Sequence, residues 1–171
     1  MGSKPTLYMM MGFPGAGKTT VAQIIAKLSG AVHISSDKMR LALFPSPKFT
    51  PEEHQILYEE LDHITRELLR AGKDVIYDAN LNRLIHRQEK YDVCREVNAK
   101  PILVWIKTDL AVAKKRAIHE KRAHLVPPNE TASSLFERLA GVFESPKADE
   151  PHVTIDGSRL SEEAVKKTLD L

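Results

Sequence analysis

Eight residues near the amino end, Gly12-Phe13-Pro14-Gly15-Ala16-Gly17-Lys18-Thr19, fit the pattern G-x-x-x-x-G-K-[ST]. Glycines at 12, 15 and 17 allow backbone conformations that side chains forbid, so successive N–H groups can turn toward one anion. Apolar residues precede the run and helical spacing follows it, which adds the positive end of a helix to the ring of amides. Lys18 is suited to the β- and γ-phosphates of ATP and the Thr19 hydroxyl to Mg²⁺, so residues 12–20 (Gly12, Pro14, Gly15, Ala16, Gly17, Lys18, Thr19, Thr20) are the expected polyphosphate cradle. The glycine order is not the G-x-G-x-x-G of dinucleotide sites.

A cradle of this kind serves switches, motors and transferases alike, so other residues must decide. Asp37 and Arg40 follow an apolar run ending at Ile34, at the sheet end where the cradle must also lie. There Asp37 can take a proton from an acceptor hydroxyl and Arg40 can hold an anionic or polar part of the acceptor; the alternative makes Asp37 a helix cap and Arg40 a solvated side chain. Val75-Ile76-Tyr77-Asp78 is an apolar strand closing on an acid, which suits Asp78 to the Mg²⁺ shell. Asn80 and Asn82 follow, able either to bind acceptor or phosphate oxygens or to stabilise a turn, and Arg83 and Arg87 stand four apart beyond them. The basic stretch from Leu110 to Arg122 reads as a solvated helix face or as a closing segment whose Arg116 or Arg122 stabilises the phosphoryl group in flight.

The elements that must position these groups are short. Apolar runs at Leu7–Met11, Ala31–Ile34, Val75–Tyr77, Ile102–Ile106 and Val153–Ile155 predict buried strands. Helical spacing occupies 19–28, 51–71, 84–97, 110–122, 134–143 and 161–169. In the longest of these, Thr50 is the expected cap, Pro51 the first helical residue, and Glu53 the partner in a capping box. Strands alternating with helices predict an α/β fold with a parallel sheet covered on both faces. Pro-containing stretches at 44–51 and 125–130 read as loops near the phosphate site.

The cradle, the S-x-D-x-x-R run Ser35–Arg40 and Asp78-Ala79-Asn80-Leu81-Asn82 resemble small P-loop kinases related to the kinase domain of phage polynucleotide kinase. Zeta-toxin-like and antibiotic-phosphorylating kinases are similar in plan. The resemblance spans Leu7 to about Asp156 and implies a three-layer P-loop kinase fold with strand order 2-3-1-4-5 and a lid at about 112–130. It implies Asp37 as general base and Arg40 as acceptor ligand, in agreement with the residues themselves, and an acceptor-binding arginine in the helix after the third strand, for which Arg87 is preferred over Arg83.

Composition limits the alternatives. The 171 residues make one domain, 1–171, and 42% hydrophobic against 28% charged residues suffices for a core. A net charge of +2 disfavours a nucleic-acid coat. The lone Cys94 excludes an internal disulfide and reads as a core residue; Trp105 also reads as core. No apolar run is long enough to span a membrane, and a cytoplasmic protein without a membrane partner is expected. Ile106-Lys107-Thr108-Asp109 stands where guanine-specific proteins carry N-K-x-D but lacks the asparagine, and Thr108 or Asp109 is expected to cap the next helix. The reading is an ATP- and Mg²⁺-dependent kinase acting on a hydroxyl of a small molecule. A polynucleotide 5′-hydroxyl kinase and a non-kinase nucleotide-binding ATPase or switch are the alternatives.

Overall fold

The computed structural model describes residues 2–119 and 125–171. Element order is β1 (Thr6–Met11), α1 (Lys18–Ser29), β2 (Val32–Ser35), α2 (Ser36–Leu43), α3 (Pro51–Arg70), β3 (Val75–Asp78), α4 (Leu84–Glu96), β4 (Lys100–Lys107), α5 (Leu110–His119), α6 (Ala132–Gly141), β5 (His152–Asp156) and α7 (Glu162–Leu169). The strands form one five-stranded parallel sheet in the order β2-β3-β1-β4-β5. This is the order the resemblance implies.

Central β1 explains why its run is apolar at every position: alternate side chains enter different cores. Leu7, Met9 and Met11 join Leu57, Leu61 and Leu69 of α3 and Val93 and Cys94 of α4. Tyr8 and Met10 join Val21, Ala22 and Ile25 of α1 and Val165 of α7. Parallel pairing also brings all five carboxyl ends to one edge, where the residues after β1, β2 and β3 meet.

Three local expectations are decided, one of them against the sequence reading. The segment after β2 is helical, with Ser35 as its N-cap, so Asp37 lies in the first turn of α2 rather than capping it. The Thr50 hydroxyl caps α3 by accepting from Glu53 N, but the Glu53 carboxylate accepts from the amides of Lys48 and Phe49, at 2.9 and 2.7 Å, instead of closing a box with Thr50. Those bonds hold Phe49 in a left-handed conformation, φ 57°, uncommon for a bulky residue. Asp109 caps α5 through Ala111 and Val112, whereas the Thr108 hydroxyl reaches elsewhere.

Two buried polar clusters pin the outer helices. Lys90 of α4 donates to Asp62 of α3, which also accepts from the Tyr77 hydroxyl at 2.8 Å; burial and the adjacent carboxylate push the Tyr77 phenol well above its ordinary range. Arg87, fully buried, pairs through Nε and Nη2 with both oxygens of Glu150, at 2.6 and 3.0 Å, and donates Nη1 to the Leu81 carbonyl. Burial opposes ionisation of Glu150, but hydrogen bonds from Arg87 and Tyr91 outweigh it and hold the carboxyl below its usual value. The acceptor-binding role expected of Arg87 is therefore corrected: its donors are consumed within the scaffold. Arg87→Ala leaves Glu150 buried without its cation and should cost about 3 kcal/mol in urea unfolding. A variant as stable as wild type would refute this role.

Candidate active site

Beyond β1 the chain turns through residues 12–17 into α1, whose first residue is Lys18. The turn depends on glycine where space is least: Gly15 has φ +78°, and a Cβ there would stand 2.3 Å from the Ala113 carbonyl oxygen of α5. The loop carbonyls are tied to donors. Lys18 Nζ donates to the Gly12 and Phe13 oxygens at 2.7 and 3.0 Å, and the Phe13 oxygen also accepts from Ala16 N at 3.0 Å. The Thr108 hydroxyl donates to the Ala16 oxygen at 2.8 Å across the sheet edge.

A cavity of about 240 Å³ opens over this loop. Pro14, Gly15, Gly17, Lys18, Thr19 and Thr20 form its floor; Gly12 and Ala16 lie behind it. Ser36, Asp37, Asp78 and Asn80 line the side facing β2 and β3, and Leu135, Phe136 and Leu139 of α6 form an apolar wall. Asp37, from the first turn of α2, thus borders the same space as Lys18 and Thr19.

The Thr19 hydroxyl donates to Asp78 Oδ2 at 2.9 Å. That oxygen also lies 2.9 Å from His33 Nε2, which sequence reasoning passed over because nothing near His33 along the chain marks it. Two hard oxygen donors side by side, one anionic, fit Mg²⁺. Among the described residues no group of three or more His, Cys, Asp or Glu side chains forms a metal cluster, so the remaining ligands of such an ion would be phosphate oxygens and water.

Arg40 lies one turn beyond Asp37, outside the cavity lining and about nine-tenths buried. Its guanidinium sits 4.8 Å over the Phe49 ring, and Nη1 has no hydrogen-bond partner among the described residues. Tyr58 packs against His54 with ring centroids 4.5 Å apart and planes tilted by 40°. Burial first, and then the nearby Arg40 and His86, hold His54 below its ordinary pKa.

Arg116 does not line the cavity; its Nη1 donates to the Gly157 carbonyl at 3.0 Å. The expectation for Arg122 lies outside the described residues. Cys94 is buried and its thiol pushed up to about 12 by desolvation, which leaves it inert. Sequence reasoning also missed Thr108 and Gly157 as props of the loop; a Cβ on Gly157 would stand 1.7 Å from Thr108 Oγ1 and 2.6 Å from the Ala16 oxygen. Gly157→Ala should therefore destabilise by about 1–3 kcal/mol and weaken nucleotide binding by displacing Ala16. Thermal unfolding with and without MgATP checks both, and wild-type values for both would refute the contact's importance.

The chain's fold is shared with solved structures of low identity. A putative kinase from Chloroflexus aurantiacus is 17% identical with a TM-score of 0.79, covering 98% of each chain. The Mycobacterium tuberculosis APS kinase, solved with AMPPNP and APS, is 19% identical with a TM-score of 0.69, covering 99% of this chain and 98% of that one. A chain of the Pnkp1/Rnl/Hen1 RNA repair complex is 21% identical with a TM-score of 0.67, covering 83% of this chain and 45% of that one. No curated protein sequence matches the chain. The AAA domain family model matches residues 7–146, which includes the cradle, Asp37 and Asp78, and the chain therefore belongs to this P-loop kinase family.

Proposed function

We propose that the protein is an ATP- and Mg²⁺-dependent kinase that transfers the γ-phosphoryl group to a hydroxyl of a small, anion-bearing molecule. The observation that carries this reading is that Asp37 lines the same cavity as Lys18, Thr19 and Asp78. Loop amides, the start of α1 and Lys18 bind the triphosphate; Thr19 and Asp78 hold the metal, which when bound offsets phosphate charge. Asp37 accepts the acceptor's proton as its oxygen bonds to the γ-phosphorus. The bond from that phosphorus to the β–γ bridging oxygen breaks, and ADP leaves with the electron pair. Asn80 contacts the acceptor, and positive charge for the phosphoryl group in flight comes from Arg122, or from Arg116 once it leaves the Gly157 carbonyl.

The acceptor class rests on size and charge. A cavity of about 240 Å³ suits a phosphoryl group and a compact acceptor better than a track of stacked bases. Arg40 is a buried cation whose Nη1 has no partner among the described residues, costly unless an anion joins it, and an anionic group of the acceptor would supply that partner. APS kinase of the same fold, solved with AMPPNP and APS, adds support for a nucleotide and a small acceptor. No described helix is long and apolar enough to cross a membrane, which is compatible with a cytoplasmic enzyme.

The test is an acceptor screen reading ADP formation against small anionic and neutral alcohols and 5′-hydroxyl oligonucleotides. Asp37→Asn should keep ATP affinity within about threefold and cut transfer by ~10² or more. Undiminished transfer by this variant would remove Asp37 from the mechanism. Turnover with oligonucleotides alone would move the acceptor to nucleic acid, and ATP binding without transfer to any acceptor would favour the switch.

A further inference from the structure

We propose that His33 is a positioning residue of the metal site: its Nε2–H fixes the Asp78 carboxylate, and through it the Thr19 hydroxyl, in the arrangement that receives Mg²⁺. The inference rests on the nucleotide- and metal-binding part of the proposed function and not on the acceptor.

The three side chains reach one point from three elements. In the parallel register of β2 and β3, His33 lies opposite Ile76 and Ser35 opposite Asp78. Side chains alternate along a strand, so His33 and Asp78 stand on the same face of the sheet. Ile76 shares that face with Val21, Ala22 and Ile25 of α1, and the first turn of α1 brings Thr19 to it. Along the chain His33 and Asp78 are 45 residues apart, and Thr19 and Asp78 are 59 apart.

Both contacts fall on a single oxygen. Asp78 Oδ2 accepts from the Thr19 hydroxyl at 2.9 Å and lies 2.9 Å from His33 Nε2, while among the described residues none bonds Oδ1. A carboxylate only accepts, so the pairing assigns a proton to His33 Nε2. The one hydroxyl proton of Thr19 is committed to Asp78, which leaves the Thr19 oxygen only lone pairs to present. Thr19 and Asp78 both line the cavity, where hard oxygen donors so turned suit a small divalent cation.

Thr19 alone does not hold this geometry. A carboxylate gripped by one hydroxyl can swing about its own bond, and a hydroxyl that loses its acceptor can turn its proton toward the cation. His33 removes that freedom. Its side chain is 13% exposed, and its backbone is fixed by the ladder with β3 rather than by any nucleotide, so the donor is in place before the ligand arrives. Partners of this kind, one step behind a metal-binding carboxylate, are worth roughly 10- to 100-fold in metal affinity or activity.

The experiment measures AMPPNP affinity by calorimetry with saturating Mg²⁺ and again in EDTA, for wild type, His33→Leu and His33→Gln, with thermal unfolding as a check on folding. Leucine keeps bulk but has no donor, whereas the glutamine amide offers an N–H at a reach similar to Nε2. His33→Leu should weaken binding with Mg²⁺ about tenfold and leave binding in EDTA nearly unchanged, and His33→Gln should recover most of the loss. An equal loss with Mg²⁺ and in EDTA, or glutamine no better than leucine, would overturn the proposal. Should the variants not fold, nitrogen NMR of the His33 ring in wild-type protein decides. At fixed pH, Nε2 must carry a proton with and without nucleotide, and its signal must shift when Mg²⁺ joins AMPPNP; a bare Nε2, or a signal indifferent to Mg²⁺, overturns the positioning role. Wild type that binds AMPPNP equally with Mg²⁺ and in EDTA would overturn the metal part of the proposed function and this inference with it. Wild type that responds to Mg²⁺, beside variants that respond equally, would sink the role of His33 alone.

Discussion

A cradle for polyphosphate works only if its amides converge while the carbonyls of the same peptides are kept away from the anion. Much of the site follows from this constraint. The Gly12 oxygen is held by Asn82 and Lys18, the Phe13 oxygen by Lys18 and Ala16 N, and the Ala16 oxygen by Thr108. These donors come from the loop, the β3–α4 connection and the end of β4, so the loop's shape depends on the packing of the central sheet. Crowding completes the fit. Gly15 abuts α5, and Gly157 abuts Ala16 and Thr108, so any added carbon would push the loop out of shape.

The sheet provides the frame because its central strands are apolar on both faces and parallel throughout. Pairing of β1 with β3 and β4 fixes the distance from the cradle to Asp78, and pairing of β2 with β3 brings Ser35 level with Asp78, two residues before Asp37. Two cations that lie near each other in the α4 sequence, Arg87 and Lys90, are neutralised by Glu150 and Asp62 inside the scaffold. Arg40 shows the opposite state. It is buried over an aromatic ring that the Glu53 carboxylate holds in an uncommon backbone conformation, with a guanidinium nitrogen lacking a partner. Burial so arranged leaves hydrogen-bonding capacity unmet at one corner of the fold.

Periodicity and end signals placed most elements because these depend on residues within a few positions of one another. Thr50 and Ser161 cap the helices they precede, and the apolar runs became strands with ends moved by a residue or two. β4 is longer than its apolar run because β1 supplies ladder partners out to Lys100, a position with no apolar signal of its own. The helix α2 went unassigned beyond a possible start: its eight residues bury only Arg40, so they carry no apolar stripe.

By itself the sequence determined the phosphate loop, the strand-ending Asp78, the placing of Asp37 just past a strand end, and a sheet buried on both faces. Each is set by local geometry or by the simple demand that apolar runs be covered. Only the tertiary structure decided which polar side chains meet: Asn82 with Gly12 across 70 residues, Arg87 with Glu150 across 63, Thr108 with Ala16 across 92. An asparagine, an arginine or a threonine can satisfy its hydrogen bonds with many partners or with water. Which one it takes is fixed only when strand order and helix packing exclude the water and leave a single partner within reach.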